Sequence, residues 1–200
     1  MRVERLGASD ADGVTEVLTE SFRDYPVMRH VISAHPDYDA RLQALVRFFV
    51  AVREHRDEIL LGIRDGRALV AAALVSYPHR GPSPAAVEPI RDATWARLGA
   101  DARARYERFG AATAPLIADD PHLHLNMIGV RRAAQGTGLG GRLLDAVHAL
   151  SAADETSSGV SLTTEHEPNV ALYRRHGYEL VGTATVDDAF TTWSMFRSDG

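Results

Sequence analysis

The sequence predicts a single mixed α/β domain spanning residues 1–200, with about six to seven strands flanked by helices. Three observations carry that expectation. Short apolar runs of strand character alternate with segments whose apolar residues recur at helical spacing, so strands and helices share one core. Asp65-Gly66 stands between two apolar runs, "EILLGIR" and "RALVAAALVSY", in the manner of a tight hairpin turn. Towards the C-terminus, "HLHLNMIGVRRAAQGTGLGGRLLDAVHAL" and "GVSLTTE" read as strand, glycine run, helix and strand. The 200 residues suit one domain with a substantial core, and no repeat or linker divides them.

Each element has its own signal. "VERLGASDADGVTEVLTESF" gives a short strand and then a helix capped by Ser9 or Asp10, with Val14, Val17, Leu18 and Phe22 along one face. Pro26 and Pro36 break "RDYPVMRHVISAHPDYD" into short helical pieces. Leu42, Leu45, Val46, Phe49 and Val52 place a helix over Arg41 to Arg53. The hairpin supplies the second and third strands. Over forty residues from "PHRGPSPAAVEP" to "LIADDP" follow, helical after their prolines, as an insertion at about 80–120 before the fourth strand, "HLHLNMIGV". Beyond the glycine run a helix begins around Leu139, and the strand "GVSLTTE" follows. The short helix "NVALYRRHGY" and the strands "ELVGTATV" and "TTWSMF" complete the chain.

Composition excludes several chemistries. All 22 basic residues are arginine, so no lysine Schiff base and no P-loop lysine is available. The absence of cysteine removes disulfides, thiolate metal sites and cysteine nucleophiles. A net charge of −5 disfavours nucleic acid as a partner and mildly favours a cationic one. No apolar run has the length of a membrane span, and the N-terminus lacks a signal-peptide pattern, so the cytoplasm is the expected location, without a membrane partner.

The glycine run poses the functional question. Gly136, Gly138, Gly140 and Gly141 precede or open a helix, whose free N–H groups and positive dipole end favour a phosphate. Gly136, Gly138 and Gly141 satisfy the dinucleotide pattern G-x-G-x-x-G, and Glu165 ends the next strand, where a ribose-binding acid would stand. Only 35 residues remain after Glu165, too few for the rest of a doubly wound sheet. Gln135, Gly138 and Gly140 also spell Q-x-x-G-x-G between a strand ending at Val130 and a helix carrying Leu143 and Leu144. Downstream, Asn169, Tyr173, Gly177 and Tyr178 form a second spaced motif before a strand.

Together, these two motifs resemble the signatures of the GNAT (GCN5-related) N-acetyltransferase superfamily. Within it the passages "DYPVMRH", "VRRAAQGTGLGGRLL", "EPNVALYRRHGY" and "TTWSM" are most similar to puromycin N-acetyltransferase-like proteins. The resemblance implies a mixed, strongly bent sheet whose central strands splay to admit the pantetheine arm of acetyl-CoA, the co-substrate, with no metal. It also implies direct transfer to a primary amine of a small cationic molecule, with antibiotics among the candidates, and a homodimer as one form of the protein. Arg131-Arg132-Ala133-Ala134 departs from the proline-acid pair of many relatives. That change leaves the loop backbone usable and alters its charge.

The expected roles follow from the chemistry of that transfer. Backbone N–H groups of Gln135, Gly136, Thr137, Gly138, Leu139, Gly140 and Gly141 would hold the diphosphate. As the resemblance implies, Ile128, Gly129 and Val130 would pair with pantetheine, and an amide near Met127 or Ile128 would support the oxyanion. Tyr173, a phenol that stays protonated at neutral pH, is the candidate proton donor to the departing sulfur, and Asn169 lies one helical turn before it on the same face. Strand alternation puts His122, His124, Asn126, Ile128 and Val130 on one face. His124 is the candidate base, with an imidazole that titrates near neutrality. A half-buried strand histidine is the structural alternative. Tyr25, His122 and Glu165 are further candidates for contacting the amine, and "SFRDYPVMRH" with the insertion from Trp95 to Phe109 would hold its body. His122, His124, Glu165 and His166 could form a metal site only if the fold made them converge. An acyl-CoA-binding sensor without turnover and a dinucleotide-dependent oxidoreductase are the other functional classes.

Overall fold

A computed structural model describes residues 1–77, 81–116 and 120–200. Residues 78–80 and 117–119, both within or bordering the predicted insertion, lie outside the described residues. The chain forms β1 (Val3–Arg5), α1 (Ala11–Ser21), α2 (Pro26–Ile32), α3 (Tyr38–His55), β2 (Ile59–Asp65) and β3 (Ala68–Ser76). Next come α4 (Val87–Leu98), α5 (Ala100–Thr113), β4 (Leu123–Val130), α6 (Leu139–Ala152), β5 (Gly159–Thr164), α7 (Glu167–Arg175), β6 (Glu179–Val186) and β7 (Phe190–Ser198). The seven strands make one sheet in the order β1-β2-β3-β4-β5-β7-β6. Every neighbouring pair is antiparallel except β4 and β5. The sheet is therefore mixed, and it is not a doubly wound parallel sheet.

Apolar side chains cover both faces of the sheet. On one face, α1 to α5 bury Leu18, Leu42, Leu45, Trp95 and Leu98 against Leu74 and Met127. On the other, α6 sets Leu143, Leu144 and Val147 over Ile59, Val75, Leu123 and Leu125. Ala71, Ala72 and Ala73 are fully buried in β3, where small side chains let helices approach the middle of the sheet from both sides. Approach is closest at Gly129, where an added Cβ would lie 2.6 Å from the Ser21 hydroxyl of α1. A side chain there would push α1 off the strand.

Two irregularities in β4 shape the middle of the sheet. First, Leu74 pairs with Met127 while Val75 pairs with Leu125, so β4 carries one extra residue at Asn126. Such a bulge reverses the alternation beyond it. Leu123 and Leu125 join the α6 side, Met127 joins the α1–α3 side, and Ile128 and Val130 return to the α6 side. The expected common face of His122, His124, Asn126, Ile128 and Val130 is thus broken between Asn126 and Ile128. Second, the parallel β4–β5 pairing consists of Leu123↔Val160, His124↔Ser161 and Leu125↔Leu162, and stops there. The strands run on to Val130 and Thr164 without pairing. The sheet opens between them.

Local details also differ from the sequence reading. Asp10 precedes α1, but its carboxylate accepts the Gly7 N–H at 3.0 Å and pairs with Arg64 instead of capping the helix. The hairpin connection is Gly66-Arg67, because Asp65 still pairs with Ala68. At the far end of the sheet, Asp187 in the β6–β7 turn binds Arg108 of α5 at 2.8 Å and His30 of α2 at 2.9 Å. That clasp fixes the hairpin tip against the two helices.

Candidate active site

The glycine loop is held from three directions. The Gln135 side chain donates to the Val130 carbonyl at 3.1 Å, tying the loop to the end of β4, and the Ser21 hydroxyl, 2.8 Å from the Val17 carbonyl, lies 3.2 Å from the same oxygen. The Thr137 hydroxyl donates to the Ala134 carbonyl at 2.6 Å. Arg131 pairs with Glu16 and Glu20, and Arg132 with Asp24, so the two arginines that depart from the family pattern bind the loop to α1 and the segment after it. Gly138 then takes φ +82° as the residue before α6, a conformation that costs a side-chain-bearing residue more than glycine.

This arrangement fits a phosphate-bearing ligand on two observations. Among the described residues, the N–H groups of Gly138, Leu139, Gly140 and Gly141 have no hydrogen-bond acceptor, since the ladder of α6 begins with Arg142 donating to Gly138. Gly140 is the second observation. An added Cβ would meet only Val130 Cγ2, at an ordinary 3.9 Å, and the residue is helical, so the fold gives no reason for glycine there. A bound group passing close to the helix start would. Gly140 lines a groove of about 470 Å³ together with Gln135, Ile128, Gly129, Val130 and Asn169. Gly136, Thr137, Gly138, Leu139 and Gly141 do not line it. They shape the turn that aims α6, and Leu139 is itself buried in the core.

A second cavity of about 220 Å³ lies on the other side of the sheet opening. Phe22, Tyr25, Ile128, Asn169 and Tyr173 line both cavities and mark where they meet. Tyr173 is 6% exposed, its ring stands edge-on to Tyr178 with centroids 5.6 Å apart, and its hydroxyl has no hydrogen-bond partner among the described residues. Burial, helped by the charge of Glu165, pushes its pKa well up, so it is a neutral phenol over the whole physiological range. Asn169 is inside the first turn of α7, whose N-cap is His166, and its amide donates to the Thr164 hydroxyl at 3.3 Å.

His124 and Glu165 both line the second cavity. His124 shares a 2.7 Å hydrogen bond between Nδ1 and the Ser161 hydroxyl of β5, its register partner. Glu165 is 7% exposed and accepts the Thr192 hydroxyl at 2.7 Å, while its N–H donates to the Tyr25 hydroxyl at 3.1 Å. Tyr25 thereby holds the end of β5, and its phenol, raised by burial and by Glu165, stays protonated. His122 lines neither cavity; its ring is edge-on to Phe196 and bonded to the Asp120 carbonyl. Among the described residues no group of three or more His, Cys, Asp or Glu is gathered as a metal site.

Burial holds the Glu165 carboxyl above the usual carboxylate range, with the Thr192 and Tyr25 hydrogen bonds working against it. A value raised on folding stabilises the folded chain at acid pH, and that contribution disappears as pH rises through the raised value. Glu165→Gln keeps an acceptor for Thr192 without the charge. It is expected to melt a few degrees above the wild type near pH 7, the gap closing as pH falls towards about 4. Thermal melts across that range check this; a gap that widens on acidification contradicts the burial argument.

The lining of the second cavity was partly legible. Phe22, Tyr25 and Met28 come from "SFRDYPVMRH", and Tyr106 and Phe109 from the insertion, as expected. Trp95 instead packs in the core beside Phe48 and Tyr106. The contribution of α3, by Leu45, Phe49 and Arg53, was not anticipated. Helical periodicity marks Phe49 only as apolar-face, and no sequence signal separates it from its buried neighbour Phe48.

The family model for the Acetyltransferase (GNAT) domain matches residues 102–180, from α5 through the glycine loop and α7 into β6. No curated protein sequence matches the chain. A Corynebacterium glutamicum structure described as histone acetyltransferase HPA2 and related acetyltransferase is similar at TM-score 0.74 and 22% identity, covering 100% of this chain and 96% of its own. The Drosophila melanogaster polyamine N-acetyltransferase, which forms N-acetylagmatine, gives TM-score 0.67 and 18% identity over 97% of each chain. Arylalkylamine N-acetyltransferase 2 of Aedes aegypti gives 0.66 and 15% over 100% of this chain and 99% of that one. Residues 102–180 are thus similar to a GNAT acetyltransferase domain, and the fold of the whole chain is the one these acetyltransferase structures share.

Proposed function

We propose that the protein transfers the acetyl group of acetyl-CoA directly to the primary amine of a small molecule. One observation carries this reading: the sheet opening joins a groove at the free start of α6 to a second cavity, and Tyr173 stands at their junction. The first cavity suits the diphosphate and pantetheine, the second an acceptor. The matched domain and the amine acetyltransferases that share the fold support the same reading. It takes residues 1–200 as one domain, since both halves of the site draw on elements from α1 to α7.

In this scheme the amine nitrogen bonds to the thioester carbonyl carbon and the C–S bond breaks. The amine loses a proton to His124, and the thiolate gains one from Tyr173. The free N–H of Gly140, at the positive end of α6, binds the diphosphate, and the edge of Ile128 to Val130 that β5 leaves unpaired faces the pantetheine. The Val130 carbonyl is already engaged by the Gln135 side chain, which leaves the pairing to Ile128 and Gly129. A sensor without turnover would keep the groove but has no use for a buried, protonated tyrosine at the junction.

Incubation with acetyl-CoA and a panel of primary amines, including an aminonucleoside antibiotic, should release CoA thiol and give N-acetylated product in equal amounts, as detected by mass spectrometry. In the same assay His124→Ala should lose the rise in rate with pH near neutrality that an imidazole base gives. Thiol release without acetylated amine contradicts the transfer; a rise that persists in the variant removes His124 as base.

A further inference from the structure

The acceptor cavity has a composition that selects among amines. Its apolar wall is aromatic and aliphatic, with Phe49, Tyr106, Phe109, Met28 and Val31 contributed by three helices and Phe22 by the segment between α1 and α2. Against this wall stands one carboxylate among the described lining residues, Glu165. The one guanidinium, Arg53 of α3, is paired at 3.1 Å with Glu58, which is buried and does not line the cavity, and donates to Asn126 at 3.1 Å.

Resting on the acetyl-transfer reading above, we infer that the acceptor is a monoamine with an aromatic or apolar body, whose single ammonium is met by Glu165, and not a polyamine. Each cationic nitrogen brought into such a cavity must exchange its water for a partner. Glu165 answers one. A second nitrogen would find no further carboxylate among the described lining residues, only apolar rings, neutral polar groups such as Asn126 and Thr163, and the guanidinium of Arg53, which repels a second cation in a partly desolvated site. The aromatic walls, in contrast, gain by covering an apolar body of matching size. Glu165 is poised for its part, because its one hydrogen bond from Thr192 and its anchored backbone fix the side chain at the cavity.

The test is calorimetric titration of the CoA-saturated protein with 2-phenylethylamine, hexylamine and spermidine. The expected order of affinity is 2-phenylethylamine, then hexylamine, then spermidine, with about 50-fold or more between the first and last. Glu165→Gln should weaken 2-phenylethylamine by roughly 10-fold or more, and Phe109→Ala should weaken it more than hexylamine. Spermidine binding as tightly as 2-phenylethylamine, no change in Glu165→Gln, or no binding by any of the three overturns the inference. Thiol release from acetyl-CoA, read separately with the same amines, keeps the two readings apart. Selective binding without transfer sinks the acetyl-transfer reading and leaves the amine site standing, while transfer that favours spermidine does the reverse.

Discussion

Gly140→Leu is expected to fold at least as stably as the wild type and to lose CoA affinity by about 100-fold or more. The two effects have separate causes, which makes their combination diagnostic. At this helical position Cβ has open space, and exchanging glycine for leucine in a helix gains on the order of 0.5–1 kcal/mol. The same side chain projects into the groove beside Gln135 and Val130 and takes the space that a diphosphate needs to reach the first-turn N–H groups. Thermal melts and CoA calorimetry on one preparation check both. A variant that melts higher and binds CoA normally would show that the groove serves something else, and one that unfolds would show that glycine is there for the fold.

Tyr173→Phe should lower kcat roughly 10- to 1000-fold while leaving CoA affinity and melting temperature nearly unchanged. The ring keeps its edge-on contact with Tyr178, and the lost hydroxyl has no partner among the described residues, so the fold gives up little. What disappears is the buried proton donor at the junction of the cavities. Because its pKa is raised, the wild-type rate should show no loss of this donor across the neutral range, and steady-state kinetics from about pH 6 to 9 tests that point. Full activity in the phenylalanine variant would assign Tyr173 to packing alone.

The glycine-loop half of the candidate site was readable in the sequence because its requirements are backbone requirements. Glycine at 138 follows from a positive φ, helix onset at Leu139 follows from the change in periodicity, and both appear where the motif places them. The acceptor half was less readable, since its shape depends on pairings between distant segments. Nothing in "HLHLNMIGV" announces the bulge at Asn126, which exists only through the register with Leu74 and Val75. Strict alternation therefore put His124 and Ile128 on one face when the strand reverses between them. The opening between β4 and β5 came from family resemblance, because no local pattern tells a strand where its partner stops pairing. Asp10 shows the same limit on a smaller scale. Its position is that of a cap, yet Arg64, more than fifty residues later, competes for its carboxylate.

The claim at the centre of this account is that the loop, the free start of α6 and the open edge of β4 form an acyl-CoA site. Titration calorimetry with CoA and, separately, with NADH tests it most directly. The account predicts one CoA bound per chain, binding that weakens with Gly140→Leu, and no measurable heat with NADH. Saturable NADH binding with CoA silent would contradict it and return the glycine run to a dinucleotide.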